Sequence, residues 1–148
     1  MKITPFLNRS GVCVRTVAKG TIYEHKEPSP TELAWLTGIW EGEGSWVYRK
    51  GRTRTYPNGK VYTETPYLKM TMSMTDEDVM LRVGAIMDGR KVTHTDGGPA
   101  HVAAGQKPCW VINLQGQAAQ TWTNLMKPYL GKRRLEKYNF IMEQLDGV

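Results

Sequence analysis

The sequence predicts an α+β domain in which helices cover one face of an antiparallel β-sheet. Three patterns predict this class: a helix start signal near residue 30, a strand–turn–strand pattern across an Asn-Gly pair, and apolar residues at helical spacing near the end of the chain. Taken in order, the segments predict a helix, two strands, a helix, two strands and two helices. The second face of the sheet is therefore expected to be left for a partner.

The first helix is predicted from about Pro30 to Gly42. Ser29 is a suitable N-cap, Pro30 suits the first helical position, and Glu32 completes a capping box with Ser29. One stripe of this helix is apolar and consists of Leu33, Leu36 and Trp40. A second stripe carries Gly38 and Gly42, although each glycine costs about 1 kcal/mol relative to alanine in a helix interior. The two glycines therefore predict that another helix lies close to this stripe.

Two strands follow the helix, from residue 45 to 56 and from about residue 61 to 74, and Pro57-Asn58-Gly59 joins them. In the second strand, a buried apolar face alternates with a polar face. The buried face is Leu68, Met70, Met72 and Met74, and the polar face is Tyr67, Lys69, Thr71 and Ser73. In the first strand the pattern leaves open which residues face the core, since both alternating sets contain apolar and charged side chains. The two sets are Trp46, Tyr48, Lys50, Arg52 and Arg54, and Val47, Arg49, Thr53 and Thr55.

A second helix is predicted from about Asp76 to Met87, with Thr75 as its N-cap and Asp88-Gly89 as its stop. Short strands are predicted near residues 90–95 and 109–115, with a loop from 96 to 107 between them because of its Gly-Gly-Pro sequence. Helices from about residue 117 to 126, where Pro128 ends the first of them, and from 132 to 145 complete the domain. Their predicted inward residues are Ala118, Trp122, Leu125 and Met126, and Leu135, Tyr138, Met142 and Leu145.

Charge and composition narrow the class of protein. The 148 residues include 20 Lys and Arg against 14 Asp and Glu, which gives a net charge of +6. The cations concentrate in two clusters: Arg49, Lys50, Arg52, Arg54, Lys60 and Lys69, and Lys127, Lys132, Arg133, Arg134 and Lys137. Such clusters suit a polyanion, because each phosphate contact releases counterions, but charge alone is explained equally well by a solvated face.

Other features exclude several classes of protein and of site. The chain has neither an apolar run of membrane-spanning length nor the apolar centre of a signal peptide, so we expect a soluble, cytoplasmic protein. Cys13 and Cys109 are too far apart for a disulfide framework or a zinc pair, and the three histidines are too scattered for a His-rich metal site. The far end of the first helix is different, because Glu41 and Glu43 add carboxylates to its unpaired carbonyls. Hard divalent cations prefer such oxygen ligands.

The segment from Leu36 to Trp46, LTGIWEGEGSW, resembles the LAGLIDADG signature of homing endonucleases. It matches at Leu36, at Gly38 and at the acid-Gly-acid-Gly run from Glu41 to Gly44. It departs from the signature at Trp40, where a smaller aliphatic residue is usual, and in having Glu for Asp at both acidic positions. Glutamate still binds Mg²⁺, but its extra methylene shifts the metal.

The order of later segments also resembles this family, and the resemblance covers roughly residues 31 to 146. It implies the αββαββα fold, with a four-stranded, antiparallel, saddle-shaped sheet and helices on one face. A single copy of the signature implies a homodimer. The implied activity is Mg²⁺-dependent hydrolysis of phosphodiester bonds in a long, near-palindromic, double-stranded DNA target.

The resemblance also implies roles for individual residues. Glu43 would bind the divalent metal, with the carbonyl of Gly42 as an auxiliary ligand, and Asp76 would order solvent around it. Arg133 or Lys132 would stabilise the charged transition state. The implied dimer interface consists of Leu36, Gly38, Ile39 and Gly42. The implied DNA-binding residues are Arg49, Lys50, Arg52, Thr53, Arg54, Tyr67, Lys69, Thr71, Ser73, Lys91 and Thr93.

Each of these roles has a structural alternative. Glu41 is expected to be structural at the helix end, and Glu43 is also explained as an exposed acid at a helix terminus. Asp76 is also explained as a first-turn acid of its helix, and the run from Lys132 to Arg134 as a solvated helix start.

Two other functions compete with the nuclease. A family member without catalysis could bind nucleic acid as an intron RNA splicing helper or a repressor, although the presence of Glu43 favours the enzyme. A glycosidase with Glu41 and Glu43 as its carboxylate pair is disfavoured, because residues two apart on a helix point away from each other. The sequence leaves open the DNA target and whether an intron, an intein or a free-standing gene encodes the chain.

Residues 1–30 lie outside the resemblance and are treated as a basic N-terminal extension to the domain of residues 31–148. Val12, Val14 and Val17 predict one short strand there. The extension is interpreted either as an ordered addition or as an arm that clamps DNA.

Overall fold

A computed structural model describes residues 12–16 and 22–147 of the chain. Two antiparallel strands, β1 (Val12–Thr16) and β2 (Ile22–Lys26), precede the first helix. The sequence predicted one strand in this segment, and the structure has two. Residues 1–11 and 17–21 of the predicted extension, Val17 among them, lie outside the described residues.

Helix α1 (Pro30–Glu43) begins with the predicted capping box. The Glu32 amide donates a hydrogen bond to Ser29 Oγ, and the Ser29 amide donates one to Glu32 Oε1, both at 3.1 Å. These bonds satisfy two of the amides that a helix start leaves without partners. Leu36 and Trp40 are fully buried against the sheet, and the chain becomes extended at Gly44. The predicted helix is therefore confirmed and is one residue longer.

Each strand of the predicted hairpin is divided into two parts. The four parts are β3 (Gly44–Arg49), β4 (Thr53–Thr55), β5 (Val61–Thr63) and β6 (Tyr67–Met74). Strands β4 and β5 pair only with each other across the Asn-Gly turn, whereas β3 and β6 belong to the main sheet. The hairpin prediction is confirmed in its connectivity but not in its continuity.

The remaining elements follow the predicted order, with two additions: a short helix within residues 96–107 and a 3-10 helix at Lys127–Tyr129. The α-helices and strands among these elements are α2 (Glu77–Ile86), β7 (Thr93–Thr95), α3 (Pro99–Ala103), β8 (Cys109–Gln115), α4 (Gly116–Met126) and α5 (Lys132–Asp146). The segment from 96 to 107, predicted as a loop, contains the short helix α3, which Pro99 begins. The N-cap of α2 is Asp76, which makes no side-chain capping bond, and not Thr75 as predicted.

The main sheet has the strand order β3-β6-β8-β7, and all neighbouring strands are antiparallel. Trp46 pairs with Met70 and both side chains are buried, whereas Val47 pairs with Lys69 on the opposite face. This register decides between the two parities of the first strand: Trp46 and Tyr48 face the core. Helices α1, α2, α4 and α5 contact the sheet, in agreement with the predicted layers.

The core lies between the helices and the sheet, and buried hydrogen bonds organise its tryptophans. Trp46 Nε1 donates to Thr123 Oγ1 at 2.8 Å, and Thr123 lies 3.2 Å from Met70 Sδ. In α4 and α5 all predicted inward residues face the core: Trp122, Met126 and Tyr138 are buried, and Ala118, Leu125, Leu135, Met142 and Leu145 are partly buried against it. The structure adds Ala119, Thr123 and Ile141 as buried residues. No helix within the described part of the chain combines the length and apolarity needed to cross a bilayer.

Candidate nucleic-acid interface and metal site

The face of the main sheet that the helices do not cover is polar. Strand alternation and the register place one set of side chains on it: Ser45, Val47, Arg49, Tyr67, Lys69, Thr71, Ser73, Thr93, Thr95, Cys109, Val111, Asn113 and Gln115. None of them is buried. We call this surface the open face. It contains every predicted DNA-binding residue that belongs to the main sheet.

Two side-chain amides of the open face escaped prediction. Asn113 pairs with Thr71 and Gln115 pairs with Lys69, and both side chains are exposed. Side-chain amides both donate and accept hydrogen bonds, which suits them to the edge of adenine. The available signal was the alternation in Cys109–Gln115. Ile112 and Leu114 face the core, whereas Asn113 and Gln115, which alternate with them, do not.

The ribbon formed by β4 and β5 extends the hairpin beyond the main sheet. Every residue from 52 to 63 is exposed. Thr53 Oγ1 lies 3.2 Å from Thr63 Oγ1 across the ribbon, and the Lys60 amide donates to Asn58 Oδ1 at 3.0 Å in the turn. The ribbon therefore presents the predicted residues Arg52, Thr53 and Arg54 to solvent, and Lys50 is exposed just before it.

The other predicted DNA-binding residues lie around β7. Thr93 pairs with Val111, which places it on the open face, and Lys91 is exposed in the segment before β7. On the opposite face of the same strand, His94 packs on Trp110 with ring centroids 4.7 Å apart. This contact anchors the edge strand of the sheet.

The acidic end of α1 opens into a cavity of about 350 Å³. The cavity is lined by Glu43, Ser73, Met74, Thr75, Asp76 and Cys109. Glu43 is exposed as the last residue of α1, and Asp76 is exposed at the start of α2. The fold therefore brings together two acids that the sequence places in separate segments, and Cys109 joins them as a residue that the sequence did not predict there.

A second acid of the signature has different surroundings. The Glu41 carboxylate lies against Gly131, where a Cβ would approach Glu41 Oε1 to 2.5 Å, and 4.0 Å from Arg134 Nε. Arg134 also donates to the Glu41 carbonyl, from Nη2 at 2.8 Å and from Nε at 3.2 Å. These contacts satisfy a carbonyl at the end of α1, so Glu41 ties α1 to α5. The expected structural role of Glu41 agrees with this geometry.

The basic run at the start of α5 divides between two environments. The Arg134 side chain is 19% exposed and points to α1, whereas Lys132 and Arg133 are exposed. Lys132 Nζ lies 3.8 Å from Glu136 Oε1, which is one helical turn further along. Neither Lys132 nor Arg133 lines the cavity that contains Glu43. The inward role of Arg134 escaped prediction, because three consecutive cations do not show which one faces the protein.

The glycine stripe of α1 is uncovered. Gly38 and Gly42 are exposed, and a Cβ at either position would meet no described atom within 4 Å outside its own helix turn. The helix expected against this stripe is therefore not among the described elements. Leu36, predicted at the dimer interface, is fully buried in the core and cannot lie on this surface, and Ile39 is partly buried against the core.

A single chain offers few metal ligands. Across residues 12–16 and 22–147, no group of three or more His, Cys, Asp or Glu side chains could hold a metal ion. The carboxylates of Glu43 and Asp76, which line one cavity, are oxygen donors of the kind that Mg²⁺ prefers. Mg²⁺ usually keeps several waters and takes one or two carboxylates together with substrate phosphates. This donor set therefore fits a Mg²⁺ site that water and phosphate oxygens complete.

Comparison with known proteins gives matches among solved structures. No family model and no curated protein matches the sequence. The homing endonuclease I-CvuI, solved with its target in the presence of Ca, is 15% identical over 76% of this chain and 64% of its own, with a TM-score of 0.49. A mutant of I-SmaMI is 14% identical over 82% of this chain and 38% of its own, with a TM-score of 0.48.

The group I intron-encoded homing endonuclease I-CeuI, solved in complex with DNA, has a TM-score of 0.52. It is 12% identical over 80% of this chain and 55% of its own. The chain thus spans less than two thirds of the length of each of these three proteins. At this identity the likeness concerns the fold alone, which in this chain is a four-stranded antiparallel sheet with helices on one face. The chain therefore has the LAGLIDADG homing endonuclease fold, and the fold class predicted from the sequence is confirmed.

Proposed function

We propose that the chain is a site-specific DNA endonuclease of the homing type that cuts both strands of its target as a homodimer. The observation that carries this proposal is the position of Glu43. It ends a helix whose glycine stripe is uncovered, and it lines one cavity with Asp76 beside the polar open face. One fold neighbour, I-CeuI, was solved in complex with DNA, which gives additional support.

The uncovered glycine stripe is the proposed dimer interface. Two α1 helices can approach closely only where side chains are absent, and Gly38 and Gly42 provide such a strip, which no described part of the chain covers. Gly42 precedes Glu43 directly, so a two-fold axis along this strip would bring both copies of Glu43 together. Each strand of the duplex would then meet one carboxylate. The interface is proposed through Gly38, Gly42 and Ile39, without Leu36.

The proposed metal is Mg²⁺, held by the Glu43 carboxylate and the Gly42 carbonyl. When bound, such an ion activates water and stabilises the leaving oxygen of a phosphodiester. Glu43 holds negative charge at the cavity, and Asp76 offers an acceptor to solvent molecules in the same cavity. Arg133 or Lys132 would contribute positive charge to the phosphate from the start of α5, where both are exposed.

The open face and the ribbon are the proposed DNA-binding surface. A twisted two-stranded ribbon fits the major groove, where Arg and Lys recognise guanine and hydroxyl groups adapt to several bases. The ribbon presents Arg52 and Arg54, and the open face presents Lys69, Asn113 and Gln115. Phosphate contacts from the cations would supply affinity, and the amides and hydroxyls would supply base contacts.

A cleavage assay tests the proposal. A library of supercoiled plasmids with random inserts is incubated with the protein and Mg²⁺, and linear products are sequenced. We expect linearisation that EDTA abolishes, and we expect Glu43→Gln to slow it at least about 100-fold, because metal catalysis contributes several kcal/mol. Glu77→Gln is the matched control, since Glu77 is exposed beside Asp76 but does not line the cavity.

Mobility-shift binding of the same plasmids separates the two candidate functions. If the protein binds DNA but cuts nothing in Mg²⁺ or Mn²⁺, the chain is a binding protein, such as a splicing helper or repressor. If Glu43→Gln cuts as well as the unmodified protein, the assignment of Glu43 as metal ligand is wrong. Binding by Glu43→Gln should persist in either case, because Glu43 carries no positive charge.

A further inference from the structure

The ribbon is joined to the main sheet by two short segments that face each other. Residues 50–52 connect β3 to β4, and residues 64–66 connect β5 to β6. Neither segment belongs to a strand, so the regular strand pairing of the hairpin is interrupted here. The direction in which the ribbon projects must therefore be fixed by contacts between these two segments.

Glu64 makes most of these contacts. Its amide donates to the Arg52 carbonyl at 2.9 Å, and its Oε2 accepts from the Arg52 amide at 3.4 Å. On the same side, a Cβ at Gly51 would overlap the Glu64 carbonyl, so the two backbones touch. Glu64 thus contacts Gly51 and Arg52 in the opposite segment through both its main chain and its side chain.

Glu64 also pairs with a cation of the ribbon. Its Oε1 lies 3.6 Å from Arg54 Nη2, and its side chain is 32% exposed against 59% for Arg54. Between residues 44 and 75 it is the single acid, among six cations: Arg49, Lys50, Arg52, Arg54, Lys60 and Lys69. An acid is unfavourable on a surface that binds phosphate, since it repels the polyanion. Its presence at this junction therefore calls for a different role.

We propose that Glu64 is a positioning residue that fixes the direction of the ribbon and limits its contacts with non-target DNA. The inference rests on the DNA-binding function proposed above. By holding Arg54, the carboxylate orders a side chain that would otherwise sample many rotamers, which lowers the cost of placing it against one base. By cancelling one positive charge, it weakens sequence-independent phosphate binding, and discrimination between target and other DNA rises.

Three substitutions separate the positioning role from the charge role. Glu64→Gln keeps an acceptor for the Arg52 amide and removes the charge. Glu64→Ala removes both, and Glu64→Asp keeps the charge on a shorter side chain. Glu143→Gln is the matched control, because it removes one exposed acid from α5, away from the ribbon. All four proteins are compared with the unmodified chain by fluorescence anisotropy on a random-sequence 30-base-pair duplex and on a duplex selected by the unmodified protein.

For Glu64→Gln we expect tighter binding of the random duplex. Its salt dependence should become steeper by about 0.9 in the slope of log K against log salt, which corresponds to one more phosphate contact. The ratio of target to random affinity should fall several-fold. Glu64→Ala should lower this ratio further. It should also speed amide hydrogen exchange of residues 52–63 in the free protein, whereas Glu64→Gln should leave this exchange nearly unchanged. Glu64→Asp should restore part of the ratio.

Two outcomes would overturn the inference while DNA binding stands. One is a target-to-random ratio that is equal in Glu64→Gln and the unmodified chain. The other is an equal change in Glu143→Gln, which would reduce the effect to net charge. If the unmodified protein does not bind the random duplex and selects no duplex from a library, the proposed function itself fails. The hydrogen-exchange comparison then still reports whether Glu64 fixes the ribbon.

Discussion

The Arg134 guanidinium donates two hydrogen bonds to the carbonyl of Glu41 and lies beside its carboxylate. This one side chain connects the start of α5 to the end of α1, where Glu43 follows two residues later. Arg134 Cζ lies 5.7 Å from the centroid of the Trp46 ring, so the guanidinium also lies over a buried tryptophan. The position of the proposed metal ligand thus depends on a contact between the two ends of the domain.

Arg134→Ala should lower the free energy of unfolding by about 1–3 kcal/mol, because a carbonyl at a partly buried helix end loses its charged donor. Lys137→Ala, an exposed cation on the same helix, should change it by less than about 0.5 kcal/mol. Urea denaturation followed by circular dichroism measures both. Equal stability of the two variants would show that the Arg134 contact does not hold the end of α1.

Elements with local signals were predicted well from the sequence. The capping box at Ser29 and Glu32 fixes the start of α1, and alternation from Tyr67 to Met74 fixes the faces of β6. Strand β8 was predicted with its observed bounds of Cys109–Gln115. In each case the determining interactions are within a few residues of each other.

Features that depend on distant contacts were not predicted. The interruption of the hairpin arises where Gly51 meets the backbone of Glu64, and neither residue alone indicates it. The same holds for Leu36, which belongs to the apolar stripe and is fully buried in the core, so that its side chain does not lie on the uncovered glycine stripe. The signature predicts which residues form α1, but only the packing of α1 against the sheet shows which of its faces is exposed.

Asn113 should contribute to sequence recognition without contributing to general DNA affinity. Asn113→Ala should weaken binding of a selected target by about 1–3 kcal/mol at one base position and leave binding of random DNA unchanged, since it makes no phosphate contact that depends on charge. Selection of cleaved sites with the variant should show one relaxed position. A uniform loss across all sequences would instead assign Asn113 to the backbone of the duplex.

Tyr138 should make the stability of the fold depend on alkaline pH. Burial raises the pKa of its phenol above the ordinary value of 10.0, and its hydroxyl lies 3.3 Å from Asn124 Oδ1. The folded state therefore favours the neutral phenol, so its contribution is complete below the unfolded pKa and is lost as the pH rises towards the folded pKa. Between about pH 9 and about pH 11, unfolding free energy should fall more for the unmodified chain than for Tyr138→Phe. Parallel pH profiles would contradict this.

Gly38 should accept a side chain in the monomer and reject it in the dimer. A Cβ there meets no described atom within 4 Å, so Gly38→Ala should stabilise α1 by about 0.5–1 kcal/mol in the isolated subunit. Gly38→Leu should also fold, but its side chain should keep two copies of α1 apart, since close approach of helices needs small residues. Sedimentation equilibrium should then find the unmodified chain dimeric and Gly38→Leu monomeric. Ala34 is an exposed position one turn earlier, and the same measurement on Ala34→Leu shows how far the interface extends. A dimer that tolerates leucine at 38 would place the interface elsewhere.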